Sequence, residues 1–133
     1  MKVADVMTST LKTIDRQERV DVALQMMEKH NIRHLIVTHQ GKPESILSDR
    51  DLLTVLSVTS EFRPQENPIK VGQVSSKNPV SVTPETSLVS AAEKMMEKKI
   101  SALPVFNDKE ELCGILTTHD LLRCLIQKLS SEK

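Results

Sequence analysis

The chain repeats itself, and a repeat this long restricts the fold to a doubled unit. "VADVMTSTLKTI" (Val3–Ile14) answers "VGQVSSKNPVSV" (Val71–Val82) at an offset of 68 residues. The same offset sets "VALQMMEKHNIRHLIV" (Val22–Val37) on "SAAEKMMEKKISALPV" (Ser90–Val105), with Ala23 on Ala91, Met27 on Met95 and Ile32 on Ile100. One extra residue in the second copy raises the offset to 69, so that "ILSDRDLL" (Ile46–Leu53) falls on "ILTTHDLL" (Ile115–Leu122). Half of a 133-residue chain buries too little surface to be comfortably stable, so the two copies are expected to pool a core.

Each copy reads β-α-β-β-α. A short strand ("LKTI" or "VSV") leads to a helix with apolar residues at i, i+3, i+4 and i+7: Val20, Ala23, Leu24 and Met27, then Leu88, Ala91, Ala92 and Met95. Asn31 and Lys99 mark the helix exits. "HLIV" or "ALPV" pairs across a polar turn with "SIL" or "CGIL" as a hairpin, and a second helix starts near Asp49 or Thr118. The expected fold is α/β, two such repeats (residues 1–59 and 70–130) packed pseudo-symmetrically into one globular module. Residues 60–69, with Pro64 and Pro68, form the linker and 131–133 the tail.

Composition excludes several functions. The 18 basic and 18 acidic side chains cancel, and neither half is polarised, so the basic stripe of a nucleic-acid binder is missing. Aromatics make up 2% of the chain, with no Trp or Tyr, which removes stacking platforms. No stretch has the length of a membrane span and no apolar leader opens the chain, so a cytoplasmic location is expected. Cys113 and Cys124 sit in apolar runs and are expected to be buried free thiols. His30 and His34 have the i, i+4 spacing of a zinc pair, but nothing completes a ligand set, so no metal is expected. No Gly-rich phosphate loop and no activated nucleophile is visible, so an enzyme is not expected.

The echoed motif has two readings. Ser48-x-x-Asp51 and Thr117-x-x-Asp120 have the form of a capping box, in which the hydroxyl takes a backbone N–H and the acid reaches back. The same helix start offers free N–H groups and a positive end to a phosphate, with a carboxylate placed to accept ribose hydroxyls. The two readings are compatible, because a capping acid can turn outward to a ligand. That both acids are the short Asp, where Glu or Gln is commoner, favours the second.

The "V-x-x-V-M" opening, the A-x-x-x-M helix ending in Ile, "SALPV" and the hydroxyl-x-x-Asp close together resemble a CBS domain, present as a tandem pair. The resemblance implies clefts between the repeats that take adenosyl ligands: AMP, ADP, ATP or S-adenosylmethionine. It also makes Asp51 and Asp120 the ribose ligands. Ser48, Arg50 and Arg33 in the first copy, and Thr117 and His119 in the second, would lie on the phosphate side. The adenine would rest against Thr13, Ile14, His34 and Leu35, or Ser81, Val82, Ala102 and Leu103. No cofactor is implied; the ligand is regulatory. Ser45 stands where the second copy has Gly114, and a side chain there could crowd a ligand.

The family's pairs associate into disc-like dimers, and this chain is expected to form a homodimer. Met26, Met27, Met95, Met96, Leu122, Leu125, Ile126 and Leu129 give the helices more apolar surface than one core face needs. With no effector domain in view, a sensor of this kind would signal to an unidentified effector protein. The alternative is a ligand-free dimerisation or docking module.

Overall fold

Where the two repeats meet the backbone, the pattern read above becomes definite. The computed structural model describes residues 1–58, 69–77 and 80–131. Of the proposed linker only Ile69 falls inside that range, and of the tail only Ser131. A 3-10 turn, Val3–Asp5, opens the chain. It is followed by β1 (Thr13–Asp15), α1 (Val20–His30), β2 (His34–His39), β3 (Lys42–Ser48) and α2 (Asp49–Val58). The second copy runs α3 (Val71–Val74, one turn), β4 (Ser76–Lys77), α4 (Leu88–Lys98), β5 (Ala102–Phe106), β6 (Leu112–Thr117) and α5 (Thr118–Ser131).

Local chemistry sets the boundaries. Asn31 and Lys99 leave their helices in the left-handed conformation, φ 53° and 56°. There the N–H of the residue after each cap, Ile32 or Ile100, donates back to Met27 or Met95 (2.9 and 3.0 Å), which satisfies an otherwise orphaned carbonyl. β2 and β3 form the expected hairpin, His39 pairing with Lys42 across Gln40 and Gly41, both at positive φ. In the second copy "VSV" reduces to one bridge, Val82 parallel to Val105, beside the β5–β6 hairpin.

The compact units are not the sequence repeats. One unit is Lys12–Pro79; the other combines Met1–Leu11 with Val80–Lys133. Each repeat has given its opening segment to the other, and the bonds that hold the two openings correspond one for one. Val20 N–H donates to the Ile69 carbonyl at 3.0 Å, and Leu88 N–H donates to the Met1 carbonyl at 2.9 Å. Val71 N–H reaches the Glu18 carbonyl at 2.8 Å, and Val3 N–H reaches the Thr86 carbonyl at 2.9 Å. Gly72 donates to Arg16 (2.9 Å) and Ala4 to Pro84 (3.0 Å). The carbonyls of Ile69 and Met1 thus satisfy a first-turn N–H of α1 and α4, which the helices cannot satisfy themselves. At the surface, Lys2 Nζ donates to Glu85 at 2.6 Å; that bond, and then the Glu85 charge, raises the pKa of the ammonium.

The expected pooling of apolar residues between the copies takes the form of this exchange. Among the described residues most of the buried apolar side chains fall into two clusters, and each draws on both repeats. Val71, Ile69 and Val74 complete the core of Ile14, Val20, Ala23, Met27, Leu35, Val37, Leu47 and Leu52. Val3, Val6 and Met7 complete that of Val82, Ala91, Met95, Leu103, Val105 and Leu116. Each repeat's opening segment therefore enlarges the core built mainly from the other repeat. The openings also pack differently. A Cβ on Gly114 would lie 2.6 Å from Met7 Sδ and 3.1 Å from the Thr8 carbonyl oxygen, whereas its counterpart Ser45 shares a 2.8 Å hydrogen bond with Ser75, the counterpart of Met7. Gly114 makes room for methionine, so Ser45 in the first copy belongs to a matched pair.

Candidate ligand-binding site

β3 and β6 run directly into α2 and α5, so Ser48 and Thr117 stand at the helix starts and the acids fall in the first turns. Both pairs form reciprocal capping boxes. Asp51 N–H donates to Ser48 Oγ at 3.1 Å, and Ser48 N–H donates to Asp51 Oδ2 at 3.0 Å. Asp120 N–H donates to Thr117 Oγ1 at 3.2 Å, and Thr117 N–H donates to Asp120 Oδ2 at 2.9 Å. The short side chain of Asp closes the box in both copies, so the preference for Asp is no argument against capping.

Beyond the box the two acids differ. Asp51 is half-buried, and its Oδ1 makes no hydrogen bond among the described residues. Asp120 is 2% exposed, and its Oδ1 accepts from Thr8 Oγ1 at 3.0 Å and from Arg123 Nη2 at 2.7 Å. Thr8 and Arg123 were not among the residues singled out from sequence. Arg123 lies three residues along α5 from Asp120, a spacing that brings side chains together on a helix. Thr8 carries no such signal, being 112 residues away.

The remaining candidates divide between the two units. Asp49 N–H donates to the Arg33 carbonyl at 2.9 Å, which brings Arg33 to the start of α2 alongside Arg50, and both side chains are exposed. In the second unit Ser101 takes the place of Arg33 in the same bond, to Thr118 N–H at 3.0 Å, and His119 is exposed. Ile14 and Leu35 lie in one core, Val82 and Leu103 in the other. Ala102 is buried, His34 half-buried, Thr13 and Ser81 exposed. The cysteines are half-buried free thiols, not fully buried: Cys113 Sγ contacts the Val105 carbonyl oxygen at 3.4 Å, and Cys124 Sγ lies 3.8 Å from Met1 Sδ. Among the described residues no helix is long and apolar enough to cross a membrane.

The sequence model of the CBS domain matches residues 3–58 and again 71–127. The chain belongs to the CBS domain family. A CBS domain-containing protein of Dictyostelium discoideum is 33% identical over 96% of this chain and 92% of its own length. Among solved structures, CBSX2 in complex with AMP is 28% identical, covers 95% of this chain and 96% of its own, and superposes with a TM-score of 0.79. The CBS domain pair of protein MJ0100, in complex with 5'-methylthioadenosine and S-adenosyl-L-methionine, shares the fold with a TM-score of 0.82 at 24% identity, covering 96% and 98% of the two chains. The doubled pattern read from sequence is thus that of a CBS pair. Within that family the reciprocal bonds of the two openings explain why each repeat begins with "V-x-x-V": Val3 and Val71 are both fully buried, each in the unit of the opposite repeat.

Proposed function

We propose that this CBS pair is a regulatory module, not a catalyst, which binds an adenosyl ligand (AMP, ADP, ATP or S-adenosylmethionine) and signals in the cytoplasm to an effector protein. The observation that carries the reading is the Asp51 carboxylate. It is half-buried at the start of α2, with one oxygen open among the described residues, in a chain similar to AMP-bound CBSX2. An ionised carboxylate accepts two ribose hydroxyls, which suits a vicinal diol. The positive end of α2, with Ser48 and the exposed Arg33 and Arg50, suits the phosphate beside it. Thr117, His119 and Asp120 repeat the sequence motif in the second copy, where Asp120 is buried and both of its carboxylate oxygens already accept hydrogen bonds. The exposed Thr13 and Ser81 and the half-buried His34 are the lining candidates with surface to offer a base.

AMP, ATP and S-adenosylmethionine added in turn should raise the melting temperature for at least one of them. A ligand at about 100 times its Kd adds roughly 2.7 kcal/mol to the native state. The variant Asp51→Asn should lose most of that shift, because hydrogen bonds to a charged group contribute roughly 1.5–3 kcal/mol, or about 10- to 150-fold in affinity. Undiminished binding by Asp51→Asn would remove the ribose role from Asp51.

The module is also proposed to form a homodimer through α5. Leu122, Leu125, Ile126 and Leu129 follow the i, i+3, i+4, i+7 stripe and are all exposed, Ile126 at 63%. Met96 on α4 is 80% exposed, whereas Met27 and Met95 are core residues and leave the surplus. A stripe of this length fits a self-complementary two-fold contact. Sedimentation at about tens of micromolar, the range of a weak interface, should show dimers for the wild type and monomers for Ile126→Glu. A wild type that is monomeric there overturns the dimer. Dimers with no ligand response would instead support a docking module, the reading this stripe favours.

A further inference from the structure

Asp120 and Asp51 hold the same place in the repeat, yet their carboxylates are committed differently. Around Asp120, Thr117 N–H, the Thr8 hydroxyl and the Arg123 guanidinium donate at 2.9, 3.0 and 2.7 Å, and the side chain is 2% exposed. A buried carboxylate is tolerated only while donors of this kind surround it, and taking one away leaves an uncompensated charge. A ribose arriving there has to displace Thr8 or Arg123 and offer no more than they already give. Among the described residues no cation is bonded to Asp51. The position that matches Arg123 is Thr54, an uncharged side chain whose hydroxyl donates to the Arg50 carbonyl at 2.9 Å.

We infer that Asp120 is a pin rather than a ligand-binding acid. Together with Arg123 it fastens Thr8, and with it the opening segment of residues 1–11, to the second unit. The chain then binds one adenosyl ligand, through Asp51. Thr8 and Arg123 are positioning residues: they decide which of two equivalent acids is free. The ligand half of this inference rests on the function proposed above, and the pin half stands on the geometry alone.

Two measurements on the full chain separate the halves. The first is amide hydrogen exchange of the opening segment, where the N–H groups of Val3, Ala4 and Thr8 donate to Thr86, Pro84 and Ile115. Asp120→Asn and Arg123→Met should each speed exchange at these amides by about tenfold or more, as local opening becomes easier, and Asp51→Asn should leave them unchanged. If Asp120→Asn does not fold, Thr8→Val, which removes a single donor, carries the same comparison. The second is calorimetric titration with AMP. The wild type should bind one equivalent per chain, Asp51→Asn should bind it at least about tenfold more weakly, and Asp120→Asn should stay within about twofold, a difference well under 1 kcal/mol. Two equal AMP sites in the wild type, or equal losses from the two substitutions, would overturn the assignment of the ligand to Asp51. Unchanged exchange in both Asp120→Asn and Arg123→Met would overturn the pin. If AMP fails to bind the wild type, the nucleotide function falls, and the exchange of the opening amides alone decides the pin.

Discussion

Val3→Asp is expected to unfold the second unit, although Val3 belongs by sequence to the first repeat. Val3 is 0% exposed and packs in the core of Val82, Leu103 and Leu116. An aspartate there is buried without a partner or else forces the opening segment out of the core, and defects of that kind cost about 4 kcal/mol or more. A unit of roughly 65 residues has a total stability of about 3–10 kcal/mol, so this one change takes most of it. The measurement is residue-resolved hydrogen exchange. Amides of β5 and β6 should lose protection first in Val3→Asp, and amides of β2 and β3 first in Val71→Asp. The opposite order would mean that each opening serves its own repeat.

Leu103→Ala and Leu35→Ala should each lower stability by about 2–5 kcal/mol, the range for truncating a buried leucine that leaves a cavity. Both were read from sequence as adenine-lining candidates, and both are almost fully buried, at 0% and 1% exposure, Leu103 in the cluster of Val3 and Leu116, and Leu35 in that of Ile14 and Leu47. Chemical denaturation with and without AMP distinguishes the roles. A core leucine moves the midpoint without ligand and leaves AMP affinity of the folded protein nearly constant. A lining leucine does the reverse, costing affinity at little cost in stability.

These two leucines show where sequence reading succeeds and where it stops. Asn31, Lys99, Asp49 and Thr118 were legible as helix ends because capping and left-handed exits are decided by a few neighbouring residues. The capping boxes were legible for the same reason. The exchange of openings was not, because duplication hides it. Val3 and Val71 sit in the same local pattern, so each fits either repeat's core, and nothing in periodicity records which one it enters. Within the strands, Leu35, Ile36 and Val37 are all buried, so alternation does not separate a core face from a lining face. Asp120 shows the same limit at the site. Its bond to Thr117 is local and its contact with Arg123 follows helical spacing, but its bond to Thr8 exists only because a distant segment returns.

That return has a consequence for how the protein is made. Lys12–Pro79 is continuous in the chain, so everything its core needs emerges from the ribosome in one run. Met1–Leu11 emerges first but has its partners between Val80 and Lys133. At translation rates of about 5–20 residues per second, Val3, Val6 and Met7 wait on the order of 5–20 s before Leu116, the last core residue they pack with, has been added. During that interval their apolar surface is uncovered while a folded unit grows behind them. The loop that finally closes spans the whole first unit, but closure cost rises only with the logarithm of loop length, and prior folding of Lys12–Pro79 shortens the effective loop. The order of synthesis therefore completes the Lys12–Pro79 unit before the other, and nascent chains are most exposed to misassembly in the seconds between the two events.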